Sequence, residues 1–243
     1  MSKLKLVKEK TVFQLMFLPN VMPVSVYLVE EEDGFTLIDA AMAFCTKNIL
    51  RTAERLGKPI KRIILTHAHV DHVGALDPLK EALPDVIVYI SERDARLLAG
   101  DASVETSDGI PHVRGGIPKQ IKTIPDILLK EGDEIGSLVA IATPGHTPGS
   151  FSFIDKRNQI VIVGDAFQTQ GGVAVAGQMK ITFPFPALAT SNKNQAIESA
   201  YKIKELQPSV LAVGHGKMIK NPLNSITKAI EEAEKNTKKG QVS

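Results

Sequence analysis

Ten consecutive residues set the terms for the whole chain. Ile63, Ile64 and Leu65 close an apolar strand, and Thr66-His67-Ala68-His69-Val70-Asp71-His72 follows without a break, ahead of a helical stretch. A loop leaving the carboxyl end of a strand for a helix is where a layered α/β scaffold aims several side chains into one space. His67 and His69 share a direction if the backbone stays extended, and Asp71 and His72 at the helix start reach a neighbouring point. Four ligand-type residues in six positions exceed what one tetrahedral ion takes from a single loop, so the spacing favours two ions close together.

The surrounding pattern supplies such a scaffold. Residues 11–18, 25–30 and 35–39 read as strands, with Asp33-Gly34 as a hairpin turn, followed by a helix over 46–56 and a strand over 62–65. After the histidines come a short helix to about residue 83, a strand over 86–90, and a helix opened by Ser91 as N-cap with Asp94 three residues on. Residues 100–125 carry Gly109, Pro111, Gly115, Gly116 and Pro118 without sustained periodicity and read as a long loop or insertion. Strands restart at 138–142, 150–155 and 159–163; residues 168–190 are irregular; Asn192 opens a helix to about residue 206; a strand over 209–213 and a charged helix from about 222 follow. Residues 34–40 and 159–166 are both second strands of a hairpin ending in Asp-Ala, which suggests two related halves.

Three more residues stand in the same context as the cluster. His146 lies in Thr143-Pro144-Gly145-His146-Thr147, Asp165 in Val163-Gly164-Asp165-Ala166 and His215 in Val213-Gly214-His215-Gly216, each after a strand and beside glycine. Glycine there lets the backbone turn tightly near an ion. Five of the six histidines thus share one explanation, and His112, in the long insertion, is expected to be solvent-exposed. The two oxygens of Asp165 suit a carboxylate bound to two metals.

Composition removes several other functions. A chain of 243 residues with 43% hydrophobic content can bury one sizeable core, and a single domain over 1–243 is expected. With 29 basic against 27 acidic residues there is no general field for nucleic acid or an acidic membrane, so neither partner is expected. Cys45 is the only cysteine, which excludes an internal disulfide, a four-cysteine zinc site and a cysteine-ligated iron–sulfur cluster. A reducing, cytoplasmic compartment is the expectation, since the amino terminus lacks the pattern of a secretory signal and no uncharged apolar stretch spans a bilayer. Cys45 itself is expected to be an inert, partly buried thiol. No Gly-x-Ser-x-Gly elbow, P-loop or dinucleotide fingerprint is present.

In this order, the motifs Thr66-His67-Ala68-His69-Val70-Asp71-His72, Thr143-Pro144-Gly145-His146, Gly164-Asp165-Ala166-Phe167 and Val213-Gly214-His215-Gly216 resemble the metallo-β-lactamase superfamily over nearly the whole chain. The resemblance implies an α/β (α+β) fold, a four-layer αββα sandwich with the site at one edge. It implies that His67, His69 and His146 hold a first ion, that Asp71, His72 and His215 hold a second, and that Asp165 stands between them. Asp39 then lies behind the ligand loop and fixes a histidine tautomer. The cofactor implied is two zinc ions per chain, with iron or manganese as alternatives. The activity implied is hydrolysis of a small-molecule ester, lactone or thioester by a metal-bridging hydroxide, with Asp71 passing the proton.

Departures narrow the substrate. The superfamily's β-lactamases usually carry cysteine where Asp165 stands, its glyoxalase thioesterases add a helical carboxy-terminal domain, its lactonases carry a tyrosine shortly after the bridging aspartate, and its nucleases add a domain or arm. A mononuclear iron dioxygenase, a phosphodiesterase and a non-catalytic metal-binding protein are the other readings. Residues 171–189 carry a large apolar load for an irregular stretch and read as a lid or a subunit interface, and a homodimer is among the possible assemblies.

Overall fold

A computed structural model describes residues 4–240 and resolves two compact units. The first comprises residues 4–101 and Gly116–Lys130. Its sheet runs in chain order: β1 (Leu4–Glu9), β2 (Val12–Phe17), β3 (Val24–Glu30), β4 (Phe35–Ile38), β5 (Ile60–Ile64), β6 (Ile87–Ser91) and β7 (Ile127–Leu129). Pairings from β1 to β4 are antiparallel and those from β4 to β7 parallel. Helices α1 (Thr46–Arg55), α2 (Val70–Val73), α3 (Leu76–Ala82) and α4 (Glu92–Leu98) connect the parallel strands. Every residue of β2 is buried, as a strand covered on both faces requires. Its one amide, Gln14, is satisfied by donating from Nε2 to Ser25 Oγ at 2.9 Å and Tyr27 Oη at 3.2 Å.

The second unit comprises Ala102–Gly115 and residues 131–240. Its strands are β8 (Glu134–Ile135), β9 (Leu138–Ala142), β10 (Phe151–Asp155), β11 (Ile160–Ile162), the small pair β12 (Phe167–Gln168) and β13 (Ala174–Val175), then β14 (Val210–Ala212) and β15 (Ile219–Lys220). Helices α5 (Phe185–Leu188), α6 (Lys193–Glu205) and α7 (Leu223–Gly240) complete it. The larger sheet has the order β15-β14-β11-β10-β9-β8, with only β11 and β14 parallel. Val161 and Leu211 of this sheet pack with Ala200 and Ile203 of α6 and Ile226 and Ile230 of α7. No helix among the described residues is long and apolar enough to cross a membrane.

The two units share a local plan that matches the two Asp-Ala hairpins in the sequence. In each, an antiparallel hairpin (β3–β4, β10–β11) gives its second strand a parallel neighbour reached through a helix, β5 after α1 and β14 after α6. An aspartate then leaves the second strand beside the loop that follows the parallel neighbour. The Asp39 amide donates to Ile64 O at 2.8 Å, and one residue before Asp165 the Gly164 carbonyl accepts from Gly214 N at 2.7 Å. Both turns use left-handed backbone, at Asp39 with φ 62° and at Gly164 with φ 49°. Aspartate tolerates that region better than most side chains.

Most strands and helices fall where periodicity places them. The expected single helix after the histidines is instead two short ones, α2 and α3. Residues 102–125 are irregular apart from the 3-10 turn Thr106–Asp108. Strands β1, β7, β8, β12, β13 and β15 were not read from the sequence; all but β1 are two or three residues long, too short to show a period.

Candidate metal centre

In the first unit, β5 ends at Ile64 and the chain runs through Thr66 to His69 before α2 opens. The His67 ring lies 4.8 Å from that of His69 and 4.1 Å from that of His72, centroid to centroid. Asp71 Oδ2 is 3.9 Å from His72 Nε2. His67, His69 and His72 are each no more than 3% exposed, whereas the Asp71 side chain is 25% exposed. The loop therefore holds three dry imidazoles and one carboxylate with access to solvent.

Asp39 organises this loop from behind. Its Oδ1 accepts from Thr66 N at 2.7 Å, its Oδ2 accepts from the Thr66 hydroxyl at 2.8 Å, and the same Oδ2 accepts from His72 Nδ1 at 2.8 Å. A carboxylate in that place requires the proton of His72 to sit on Nδ1, which leaves Nε2 as the unprotonated nitrogen. Because the Thr66 hydroxyl gives its hydrogen to Asp39, its oxygen accepts at 3.0 Å from His67 Nδ1. Asp39 thereby sets two tautomers, one directly and one through Thr66. A second buried acid, Asp94 on the first turn of α4, accepts from Ala68 N at 2.9 Å and pins the backbone between His67 and His69.

In the second unit the loop after β9 carries His146, the turn after β11 carries Asp165, and the loop after β14 carries His215. Asp165 Oδ2 lies 3.4 Å from His146 Nε2 and 3.1 Å from His215 Nε2, so both ring nitrogens converge on one carboxylate. Gly145 makes the approach possible: at φ 131°, a Cβ there would collide with the backbone nitrogen of Ala196 on α6. The Ser199 hydroxyl of α6 donates to Pro144 O at 2.6 Å and holds the same loop. Gly216, at φ 116°, lets the His215 loop pass against Thr169, whose amide donates to His215 O at 2.9 Å.

His146 repeats the tautomer logic of His67. The Thr190 hydroxyl gives its hydrogen to Pro186 O at 2.6 Å, so its oxygen accepts at 3.1 Å from His146 Nδ1 and again leaves Nε2 as the unprotonated nitrogen. The His215 ring packs against Phe183 with centroids 5.3 Å apart.

This donor set fits a transition-metal ion. Imidazole Nε2 and carboxylate oxygen are the ligands zinc and iron prefer, and rings held from Nδ1 are the usual support for them. His67, His69 and His72 in the first unit, and His146, Asp165 and His215 in the second, are all at most 5% exposed, and burying so many bases beside carboxylates suits the binding of cations. Within the first unit, ligand atoms of His67 and His69, of His67 and His72, and of Asp71 and His72 lie within 4.8 Å of one another, pair by pair.

Thr66, Asp94, Thr190 and Phe183 are the supporting residues that the sequence did not reveal as such. Ser91 as N-cap is present, its Oγ accepting from Asp94 N at 3.1 Å, but nothing in the sequence says that the Asp94 carboxylate turns towards Ala68. His112 is exposed. Cys45 is fully buried, and that burial pushes its thiol up to about 11, so it is no nucleophile at neutral pH.

With the fold and both histidine–aspartate clusters described, comparison with known proteins gives the class. The model of the metallo-beta-lactamase superfamily matches residues 19–215, and the chain belongs to that superfamily and has its mixed α/β fold. It is similar to the Uncharacterized protein YobT of Bacillus subtilis (strain 168), at 52% identity over 96% of this chain and 100% of that protein. It is also similar to the Probable metallo-hydrolase YflN of the same organism, at 31% identity over 79% of this chain and 78% of the other. Among solved structures, that of TTHA1623 in a di-iron-bound form matches with a TM-score of 0.61 and 30% identity, over 84% of this chain and 92% of that one.

Proposed function

We propose that this chain is a metal-dependent hydrolase, one catalytic domain spanning both units, whose two ligand sets hold two divalent ions. His67, His69 and His146 take one ion, Asp71, His72 and His215 the other, and Asp165 serves both. What carries the reading is the single Asp165 oxygen within 3.4 Å of His146 Nε2 and 3.1 Å of His215 Nε2, because a carboxylate so placed suits a pair of ions. Zinc is the first choice on donor type. The di-iron form of TTHA1623 supports a count of two and keeps iron beside zinc, with manganese behind both.

Such ions supply Lewis acidity and bring the pKa of a water near neutrality. The chain's own groups do the rest. Asp39 and Thr66 hold two imidazoles in the ligating tautomer, Thr190 does so for His146, and Asp71, the one partly exposed acid, carries a proton to the departing oxygen or sulfur. With Cys45 buried and protonated, the nucleophile is solvent. The substrate is a small carboxylic ester, lactone or thioester, acted on in the cytoplasm. Zinc-loaded protein is expected to hydrolyse members of a panel of such compounds, to lose the activity on dialysis against a chelator, and to regain it with zinc. Turnover of phosphodiesters alone, or of nothing in the panel, contradicts the reading.

A further inference from the structure

A cleft of about 540 Å³ in the second unit is lined by none of the proposed metal ligands. All of its walls belong to that unit: Gly177 and Gln178, Lys193 and Asn194 at the amino end of α6, Ile110 from the insertion and Asn236 from α7. No acidic residue lines it. The first turn of α6, a helix of 13 residues, carries Lys193 and no acid, the reverse of the charge that the positive end of a helix prefers. Asn192 caps two of the amides that such a turn leaves open, its Oδ1 accepting from Gln195 N at 3.2 Å and its carbonyl from Ala196 N at 3.0 Å. The amides of Lys193 and Asn194 meet no acceptor among the described residues, and the Lys193 ammonium meets no carboxylate there.

A second feature of the cleft is independent of the helix. Gln178 is only 7% exposed, and its carboxamide is half used: Oε1 accepts from Asn236 Nδ2 at 2.9 Å, while Nε2 meets no acceptor among the described residues. That nitrogen is not sealed among packed atoms and opens on the cleft that Gln178 lines. Exchanging O and N in both amides moves the free donor to Asn236, so the pair offers the cleft a donor either way. A nearly buried amide with hydrogens to spare calls for an acceptor. Gly177, at φ 82°, leaves room for the Lys193 stem: a Cβ there would come 2.7 Å from Lys193 Cγ, so the stem lies against the cleft wall.

We propose that this cleft binds the phosphate group of a small ligand, with the Lys193 and Asn194 amides, the Lys193 ammonium and the Gln178–Asn236 carboxamide pair as its donors. Free amides at the amino end of a helix are a ready seat for phosphate, and the cleft has room for a body beside it. Binding there uses no metal chemistry, so the site stands or falls apart from the hydrolase reading.

Isotope-labelled, metal-saturated protein is titrated with inorganic phosphate, glycerol 3-phosphate and acetate, and its amide chemical shifts are followed. Both phosphates are expected to move the Lys193 and Asn194 signals saturably, and acetate, with less negative charge, to bind about tenfold more weakly. Lys193→Gln keeps the amide, removes the charge and weakens phosphate about tenfold. Lys193→Pro removes both and abolishes the shift at Asn194; proline suits the first helical position, and Asn192 before it is already extended at φ -133°. Lys193 is exposed, so neither variant disturbs the core. Tighter binding of glycerol 3-phosphate than of inorganic phosphate identifies a phosphate ester as the ligand, and the reverse identifies free phosphate. No saturable shift at these amides, shifts confined to the histidine loops, phosphate binding that Lys193→Pro leaves unchanged, or acetate as tight as phosphate overturns the proposal.

Discussion

Thr66 and Thr190 perform the same task for different histidines. Each sends its hydroxyl hydrogen to a fixed acceptor, Asp39 or Pro186 O, and receives a histidine Nδ1–H in return. Replacing Thr190 with valine keeps the shape and removes the acceptor. Thr190→Val is expected to weaken metal binding about 10- to 100-fold, measured by competition with a chromophoric chelator, while Thr190→Ser retains it. Asp94→Asn, which weakens the hold on Ala68 N, is expected to lower metal affinity with native circular dichroism preserved. Cys45 gives a separate check: with its thiol held up to about 11, it should resist a disulfide reagent at pH 7 in the folded protein and react at once in guanidinium. The ligand-type residues could be read from the sequence because four of them crowd into six positions and the others repeat their strand-then-glycine setting. Thr190 and Asp94 could not, because their partners lie 44 and 26 positions away and the chemistry of threonine or a capped aspartate is the same in any turn.

Elements were legible to the degree that they are long and one-sided or wholly buried. Strand β9 was placed at its observed bounds, and the N-caps Ser91 and Asn192 both hold their helices, accepting from Asp94 N and Gln195 N. Strand β1, with Leu4, Lys5, Leu6 and Val7 at the sheet's edge, carries an alternation too weak to read, and β7 is too short for a period. How the long insertion is fastened was also invisible. Asp77 on α3 accepts from the amides of Lys122 and Thr123 and from the Thr123 hydroxyl, at 2.6 to 3.1 Å. Partial burial alone would raise its carboxyl, and these hydrogen bonds outweigh it and hold the group below its ordinary value of 3.8. A lowered carboxyl stabilises the folded state fully above the unfolded value and loses that contribution as pH falls through the folded one. Protection of the Lys122 and Thr123 amides against hydrogen exchange should therefore be full at neutral pH and fail below the ordinary carboxyl range. In Asp77→Ala it should be weak at every pH.

At the scale of the molecule, the same short plan is used in both units: a hairpin, a helix, a parallel strand, and an aspartate set beside the loop that follows. In the first unit that aspartate, Asp39, supports His72 from behind; in the second, Asp165 faces His146 and His215 and is itself a ligand candidate. The sequence shows both hairpins ending in Asp-Ala, but the difference in role emerges only from which nitrogen each carboxylate meets, Nδ1 for Asp39 and Nε2 for Asp165. A carboxylate that holds an imidazole from behind and one proposed to serve two ions predict different losses. Asp39→Asn is expected to lower affinity for both ions with the count retained at saturating metal, and Asp165→Ala to lower the count itself. The most direct measurement is therefore elemental analysis of metal-saturated protein, with ester hydrolysis followed as each equivalent of metal is added. The account predicts two ions per wild-type chain, activity that rises with the second equivalent, and fewer than two ions in Asp165→Ala. One iron per chain with oxygen consumed in place of ester hydrolysis contradicts it.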